Sequence, residues 1–394
     1  MSTRRLIVLG SMSFAAVGIA VVLPGLFLPL LIDRLDLRFS GAGSLLAAQP
    51  LGHLSVVLVL PRVARNLDGR WSSAAGALVL GVGLVALGWV RTWPAALAAM
   101  AVTGFGIGAV EIGTNTVLLL NGAQPNRVLN FTHLFFGVAS VLTPFLAASA
   151  LAFGIPWFGI WASGAALVWL AAVAWVFCVA APGFHGSDVP RPVVRRNARG
   201  HAAKIALAVA MGTYVGAEIG FGSWYTKYAT SVHRLSLPAA GQGLAAYWAG
   251  LTLGRLLLAL WAPGRSSVRF LATLALSATA AAASSLIAPG AAAFTALGAL
   301  LGLSLAGIFP GILALAAQWY PGDVARVTGA LLAGAGMGQM LFPWLMAVLA
   351  DYTGIAAAMW MYPVLCLLVA ASVVAGGAME RSRFVGRERR AGQG

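Results

Sequence analysis

Twelve apolar runs, each about twenty residues or longer and separated by short polar loops, dominate this chain. At 1.5 Å per residue, a helix of that length crosses a hydrocarbon core of roughly 30 Å. Inside lipid every backbone N–H and C=O needs a partner within the protein, so a spanning segment is a helix or part of a closed barrel. Barrel strands alternate polar and apolar residues over about ten positions. The runs here do not alternate, so they read as helices. The pattern predicts spans at about 6–32, 41–60, 73–90, 93–120, 130–154, 156–181, 204–228, 238–261, 266–288, 290–318, 325–350 and 355–378. The expected fold class is an all-α membrane protein with twelve transmembrane helices in two six-helix bundles.

Composition agrees. Only 9% of the residues are charged and 60% are hydrophobic, too little polar surface to cover a water-facing exterior. The formal net charge of +15 resembles a nucleic-acid signal, but the cations fall in loops and tails, where Lys and Arg orient a membrane protein. No nucleic-acid partner is expected. The first run is too long for a signal-peptide core and reads as a retained span. Cys178 and Cys366 lie inside apolar runs, which suggests neither a disulfide nor a metal site, and no cofactor is expected.

Basic residues gather on one side. They include Arg4 and Arg5, Arg62, Arg65 and Arg70 after span 2, Arg127 after span 4, Arg191 to Lys204 after span 6, Arg265 and Arg269 after span 8, and the tail arginines. The other side is poorer in cations, with Lys227 and Arg234 after span 7 as the exception. The positive-inside rule then places both termini in the cytoplasm of a multi-pass protein of the cell (inner) membrane. The organisation expected is an N-terminal bundle 1–181, a basic cytoplasmic linker 182–203, a C-terminal bundle 204–378 and a cytoplasmic tail 379–394. The even split suggests two parallel repeats.

Several spans carry glycine at four-residue spacing: Gly104 and Gly108; Gly212, Gly216 and Gly220; Gly250 and Gly254; Gly334 and Gly338. Such strips let helix backbones approach closely. Tight packing is the simpler reading, and smooth faces on which two bundles rock is the functional one. Pro24, Pro50, Pro144, Pro310 and Pro343 lie within or near the ends of spans, where helices can bend.

An ionisable side chain inside a span costs about 2.5–3.5 kcal/mol on insertion scales, so it normally faces a cavity or a partner. Glu111 in span 4 has Asn115 one turn on, on the same face. Burial disfavours the charged form of a carboxyl, and one that gains and loses a proton as access changes sides would couple proton flow to solute movement. Glu218 in span 7 shares a face with Tyr214, Phe221 and Tyr225, an aromatic stripe beside an acid that suits a sugar ring. Packing is the alternative reading, and the acid favours a cavity-facing stripe. Asn130 and His133 sit three residues apart on span 5. Tyr247 and Arg255 share a face of span 8, and Arg255 is expected to snorkel to the interface. Trp224 and Gln339 complete the candidate cavity, with Gln49 and Gln318 weaker. His53 stands alone and reads as structural.

At these residues the chain resembles the major facilitator superfamily, and within it the fucose:proton symporter family with its sodium–glucose carrier relatives. Glu111 and Asn115 match an E-x-x-x-N pattern. The stretch 129–137 resembles the family's following helix, with His133 where the fucose carrier has a sugar-contacting glutamine. Tyr214, Gly216, Glu218, Gly222 and Ser223 resemble its span 7 pattern, and Tyr247, Gly250, Gly254 and Arg255 its span 8 pattern; Pro310 and Pro343 also fit. Two features depart. The family's acid in span 1 has no counterpart in the apolar stretch 18–24, and only Asp68, Gly69 and Arg70 loosely match the loop motif after span 2.

The resemblance implies secondary transport of a sugar or similar small polar solute by alternating access, coupled to H⁺ or Na⁺, by a protein that is a monomer in the lipid bilayer. Glu111 and Glu218 would then be the proton-coupling acids. Asn115, Asn130, His133, Tyr214, Trp224, Tyr247 and Gln339 would line the solute site. Proton-coupled efflux of an apolar or cationic compound is the alternative. No clustered nucleophile and base, metal ligands or nucleotide-binding loop points to an enzyme.

Overall fold

A computed structural model describes residues 3–63, 69–121, 125–179, 201–261 and 266–391. The described residues form α1 (Thr3–Leu35), α2 (Phe39–Val63), α3 (Gly69–Trp89), α4 (Trp93–Asn121), α5 (Pro125–Ala152), α6 (Trp157–Val179), α7 (His201–Ser231), α8 (Leu237–Trp261), α9 (Val268–Leu286), α10 (Ala291–Leu305), α11 (Ile308–Trp319), α12 (Val324–Thr353), α13 (Ile355–Ala358) and α14 (Met361–Ala391). Eleven helical stretches among the described residues are long and apolar enough to cross a membrane. With α2, which has 25 residues, they match the twelve spans read from the sequence. Two spans are divided. α10 and α11 break at Ala306 and Gly307, because Pro310 has no N–H to offer the Ala306 carbonyl. α13 and α14 form the last span, and α14 continues as helix through Ala391, so the expected tail from 379 begins inside it. The inferred linker lies outside the described residues up to position 200, and α7 begins within it at His201.

The two halves share one frame, offset by 198 residues. α1 starts at Thr3 and α7 at His201; α2 at Phe39 and α8 at Leu237; α4 at Trp93 and α10 at Ala291. The offset extends to side-chain detail. Gly52 on α2 lies against the Ala101 carbonyl of α4, and Gly250 on α8 lies against the Ala299 carbonyl of α10. Gly104 of α4 meets the Gln49 carbonyl, and Gly302 of α10 meets the Tyr247 carbonyl. A Cβ at any of these four glycines would overlap the facing carbonyl. Gln49 Nε2 donates to the Ala20 carbonyl at 3.0 Å, and Tyr247 Oη donates to the Glu218 carbonyl at 2.8 Å, again 198 residues apart at both ends. The connecting turns match too. Asp36 and Arg234 both have positive φ, 49° and 55°, and Gly154 and Gly354 have φ of 80° and 79°.

The glycine strips serve packing within each half. Gly104 and Gly108 seat α4 on α2, Gly212 and Gly338 bring α7 onto α12, and Gly250 and Gly254 seat α8 on α10. These contacts fit the simpler reading of the strips, tight packing. They hold each bundle together, where lipid supplies no hydrophobic drive for helices to associate.

The halves meet through α1 with α7, α2 with α12, and α5 with α8. This interface is also two-fold. Gly43 of α2 packs on Ala347 of α12, and Gly241 of α8 packs on Ala148 of α5. At mid-depth Gly137 of α5 touches Thr252 of α8, and Gly336 of α12 touches Leu54 of α2. Near the axis Gly25 faces its equivalent Ser223, and Thr226 Oγ1 donates to the Gly25 carbonyl at 2.6 Å. These contacts run from mid-depth to the face opposite the N-terminus of α1, here called the distal face.

Gly104→Ala and Gly302→Ala are each expected to cost about 1–3 kcal/mol through overpacking at the crossings. Gly322→Ala, which meets nothing within 4 Å, should stay within about 0.5 kcal/mol of the parent. Thermal unfolding in detergent reads the difference.

Candidate functional site

Two polar pairs sit at mid-depth, one in each half. In the first half His53 Nε2 of α2 lies 3.3 Å from Glu111 Oε2 of α4. The pairing follows from the α2–α4 crossing. Gly108, one turn before Glu111, carries no Cβ, and a Cβ there would come within 2.8 Å of His53 Cδ2. The side chains are 34% and 30% exposed, so neither is sealed inside the helix bundle. Asn115, one turn further along α4, is partly buried, and its Oδ1 is buried without a hydrogen-bond partner among the described residues. An unsatisfied buried carbonyl oxygen is costly and is available to a ligand donor.

In the second half Arg255 Nη2 of α8 lies 3.1 Å from Glu218 Oε1 of α7. The Glu218 side chain is 7% exposed and that of Arg255 36%. Tyr247 Oη is bonded to the Glu218 backbone carbonyl, and the Tyr214 phenol lies beside both charged groups. Arg255 is always charged and turns its guanidinium to the Glu218 carboxyl. The expectation that Arg255 snorkels to the interface is corrected: a buried acid one helix away gives the guanidinium a partner at depth.

The structure brings some of the other predicted residues to these pairs. His133 of α5 is exposed, stacks near Phe14 with ring centroids 3.7 Å apart, and lies within electrostatic reach of Arg255 across the halves. The α5–α8 approach at Gly137 and Thr252 makes this possible, each one turn from its polar residue. Gln339 of α12 is partly exposed, one turn beyond Gly336, which touches Leu54 beside His53. Pro343 has no N–H for the Gln339 carbonyl, so this turn of α12 offers a backbone acceptor as well as an amide. The side chain of Asn130 lies outside the described residues.

Other predicted residues face elsewhere. Trp224 is fully buried towards the distal face, its Nε1 donating to the Pro343 carbonyl at 3.1 Å, so it lines no open space in this state. Tyr214 and Tyr247 are also fully buried. The aromatic stripe of α7 is packing: Tyr225 stacks on Phe294 at 4.8 Å, and Phe221 meets Tyr247 and Tyr362. The cavity-facing reading of that stripe is corrected. Gly243 and Gly298, which leave room for the Tyr225 ring, are why it turns inward. An apolar groove of about 580 Å³ between α1, α5 and α6 contains none of the ionisable residues.

His53 is the residue that sequence reasoning missed. On α2 alone it has no partner, because Glu111 belongs to another helix. The available signal was Gly108, whose spacing from Glu111 leaves a gap of imidazole size on the same stretch of α4.

No protein-family model matches the chain. It is 29% identical to the protein TsgA homolog of Yersinia pestis (strain Pestoides F) over 148 residues, 37% of either chain. The same match is found with the homolog from Yersinia pseudotuberculosis serotype O:3. The chain thus aligns with little more than a third of the length of these curated relatives. Among solved structures it is similar to an inward-facing, unoccupied bacterial homolog of the human lysosomal transporter Spinster, with a TM-score of 0.72, 14% identity, and coverage of 96% of this chain and 97% of that one. A D-xylose-proton symporter gives 0.70 and 13% identity, covering 95% and 97%. The nucleoside transporter NupG gives 0.69 and 13% identity, covering 95% and 99%. The chain has the major facilitator fold.

Arg255→Met is expected to destabilise the protein by about 2–3 kcal/mol, short of a fully buried pair because Arg255 is partly exposed. Adding Glu218→Gln to it should recover at least about 1 kcal/mol. A double-mutant cycle on thermal unfolding checks the coupling, and additive losses would show that the pair is not coupled.

Proposed function

We propose that this protein is a secondary carrier for a sugar-like small polar solute, working by alternating access and coupled to protons. The observation that carries the reading is the contrast between the two acids inside the spans. Glu111 faces a titratable imidazole and is partly exposed, whereas Glu218 faces a permanent cation and is buried. A coupling acid must change charge during the cycle, and only the first arrangement permits that without leaving a lone buried charge. Glu111 is therefore the coupling group. Glu218, first read as a second coupling acid, instead orients Arg255 and the tyrosines around it. The similarity in fold to a proton symporter of D-xylose and to a nucleoside transporter supports a polyhydroxylated solute.

In this reading bundles 1–181 and 204–378 rock about their two-fold interface, joined by the cytoplasmic linker 182–203. The face bearing the N-terminus is cytoplasmic, because the basic loops lie there. Asn115, Asn130, His133 and Gln339 contact the solute, with His133 and Arg255 meeting it from opposite halves. Tyr214 and Tyr247 join as the bundles move. The protein acts as a monomer in the inner membrane, and H⁺, rather than Na⁺, is the coupling ion.

A melting-shift screen of pentoses, hexoses and nucleosides on the purified protein identifies the solute. In proteoliposomes, accumulation of that solute should follow an inward proton gradient and persist when Na⁺ is replaced. Glu111→Gln should reduce gradient-driven accumulation roughly tenfold or more while leaving solute exchange across a pre-loaded membrane. Undiminished accumulation by Glu111→Gln rules the acid out as the coupling group.

A further inference from the structure

The distal face holds a contact that no solute needs. Asp351, at the end of α12 in the second half, accepts two backbone hydrogen bonds from the start of α2 in the first half. Phe39 N–H donates to Oδ1 at 2.8 Å, and Ser40 N–H donates to Oδ2 at 3.1 Å. The first turn of a helix has backbone donors without intrahelical partners and the positive end of the helix dipole. A carboxylate placed there satisfies both. Such a cap normally comes from the residue preceding the helix. Here it comes from the other bundle, more than 300 residues along the chain.

The surroundings reinforce the contact. Asp351 lies on an exposed pocket of about 240 Å³ that also bears Arg38 of the first half and Lys227 of α7. Lys227 and Arg38 are thus two of the few cations on this face, and both lie beside Asp351. Beneath it, Gly43 packs on Ala347 and on the backbone of Trp344, one and two turns below Asp351, and Phe39 packs near Trp224 with ring centroids 6.0 Å apart. Among the described residues, the equivalent turn of the other half has no such bridge. α8 is capped from within its own half by Ser236, whose Oγ accepts from Ala239 N–H at 3.4 Å, and the residues at the corresponding end of α5, Ala152 and Phe153, are apolar.

We infer that Asp351 is a distal latch: its carboxylate, seated on the N-terminus of α2, holds the two bundles shut on the distal face. Opening that face strips α2 of its cap and exposes its first-turn donors. Water then replaces the carboxylate, so the latch biases the equilibrium without locking it. The inference rests on the alternating-access reading for its place in a cycle, but its test reads a distance and not transport.

Spin labels at Arg91→Cys and Ile287→Cys, exposed distal turns of opposite halves, report the opening in lipid nanodiscs, in a full chain lacking Cys178 and Cys366. With the parent residue at 351, short distances should dominate. Asp351→Ala should raise the ratio of long to short distances roughly fivefold, the scale of losing a charged cap. Asp351→Asn, which keeps an acceptor but no charge, should fall between and serves if the alanine variant does not fold. Ser236→Ala removes a cap on the same face within one half and should leave the distances unchanged. An unchanged distribution in both Asp351 variants, while the parent still shows two populations, overturns the latch and leaves the carrier reading standing. An equal shift in Ser236→Ala also overturns it, by making the effect one of general cap loss. A single fixed distance in the parent and every variant overturns both the latch and alternating access.

Discussion

Close approach of helix backbones through glycine is the constraint on which the rest of this structure depends. In lipid, apolar side chains gain nothing by leaving the bilayer for one another's company, so helices associate through intimate packing and hydrogen bonds. Gly52 and Gly104 in one half and Gly250 and Gly302 in the other set carbonyls of one helix against Cα atoms of the next. Each crossing fixes both the depth and the rotation of its helices. Several polar residues lie within a turn of these crossings. Gln49 and His53 flank Gly52, and Tyr247 precedes Gly250 by three residues. Their positions are thus set by the rigid frame rather than by loops.

Upon one frame the two halves carry different chemistry. Gln49 and Tyr247 occupy equivalent positions and donate to equivalent carbonyls. The residues owning those carbonyls are Ala20 and Glu218, so only the second half has an acid there. Glu111 in turn has Phe309 as its counterpart. The result is a partly exposed acid–imidazole pair on one side of the interface and, on the other, a buried acid held by a partly exposed guanidinium. In the reading proposed above, the first changes charge and the second stays constant. The apolar start of the chain fits this division, because a single carboxyl with a titratable neighbour requires no second acid in span 1.

Much of the fold was legible because lipid forces continuous apolar runs, and all twelve spans emerged near their observed bounds. The break in the tenth span was missed: the run stays apolar through Ala306 and Gly307, and only Pro310 marks it. The α7 stripe was misread because helical spacing reports which residues share a face and not what the face meets. Tyr225 turns inward since Gly243 and Gly298 on other helices make room. Arg255 and His53 were misjudged for the same reason, each having its partner on another helix. Glu111, Glu218 and their helix neighbours stood out early because ionisable groups are rare in spans. The two-fold offset was expected only as a 6+6 split. Its recurrence in individual carbonyl contacts is three-dimensional and has little trace in side-chain identity.

The central claim is that Glu111, beside His53, exchanges a proton while Glu218, beside Arg255, does not. Infrared difference spectra of the protein in lipid, recorded as pH is cycled, read it directly through the carbonyl stretch of a protonated carboxylic acid. The account predicts a band that disappears in Glu111→Gln, shifts in frequency in His53→Gln, and survives in Glu218→Gln. A band that survives in Glu111→Gln and disappears in Glu218→Gln would contradict it.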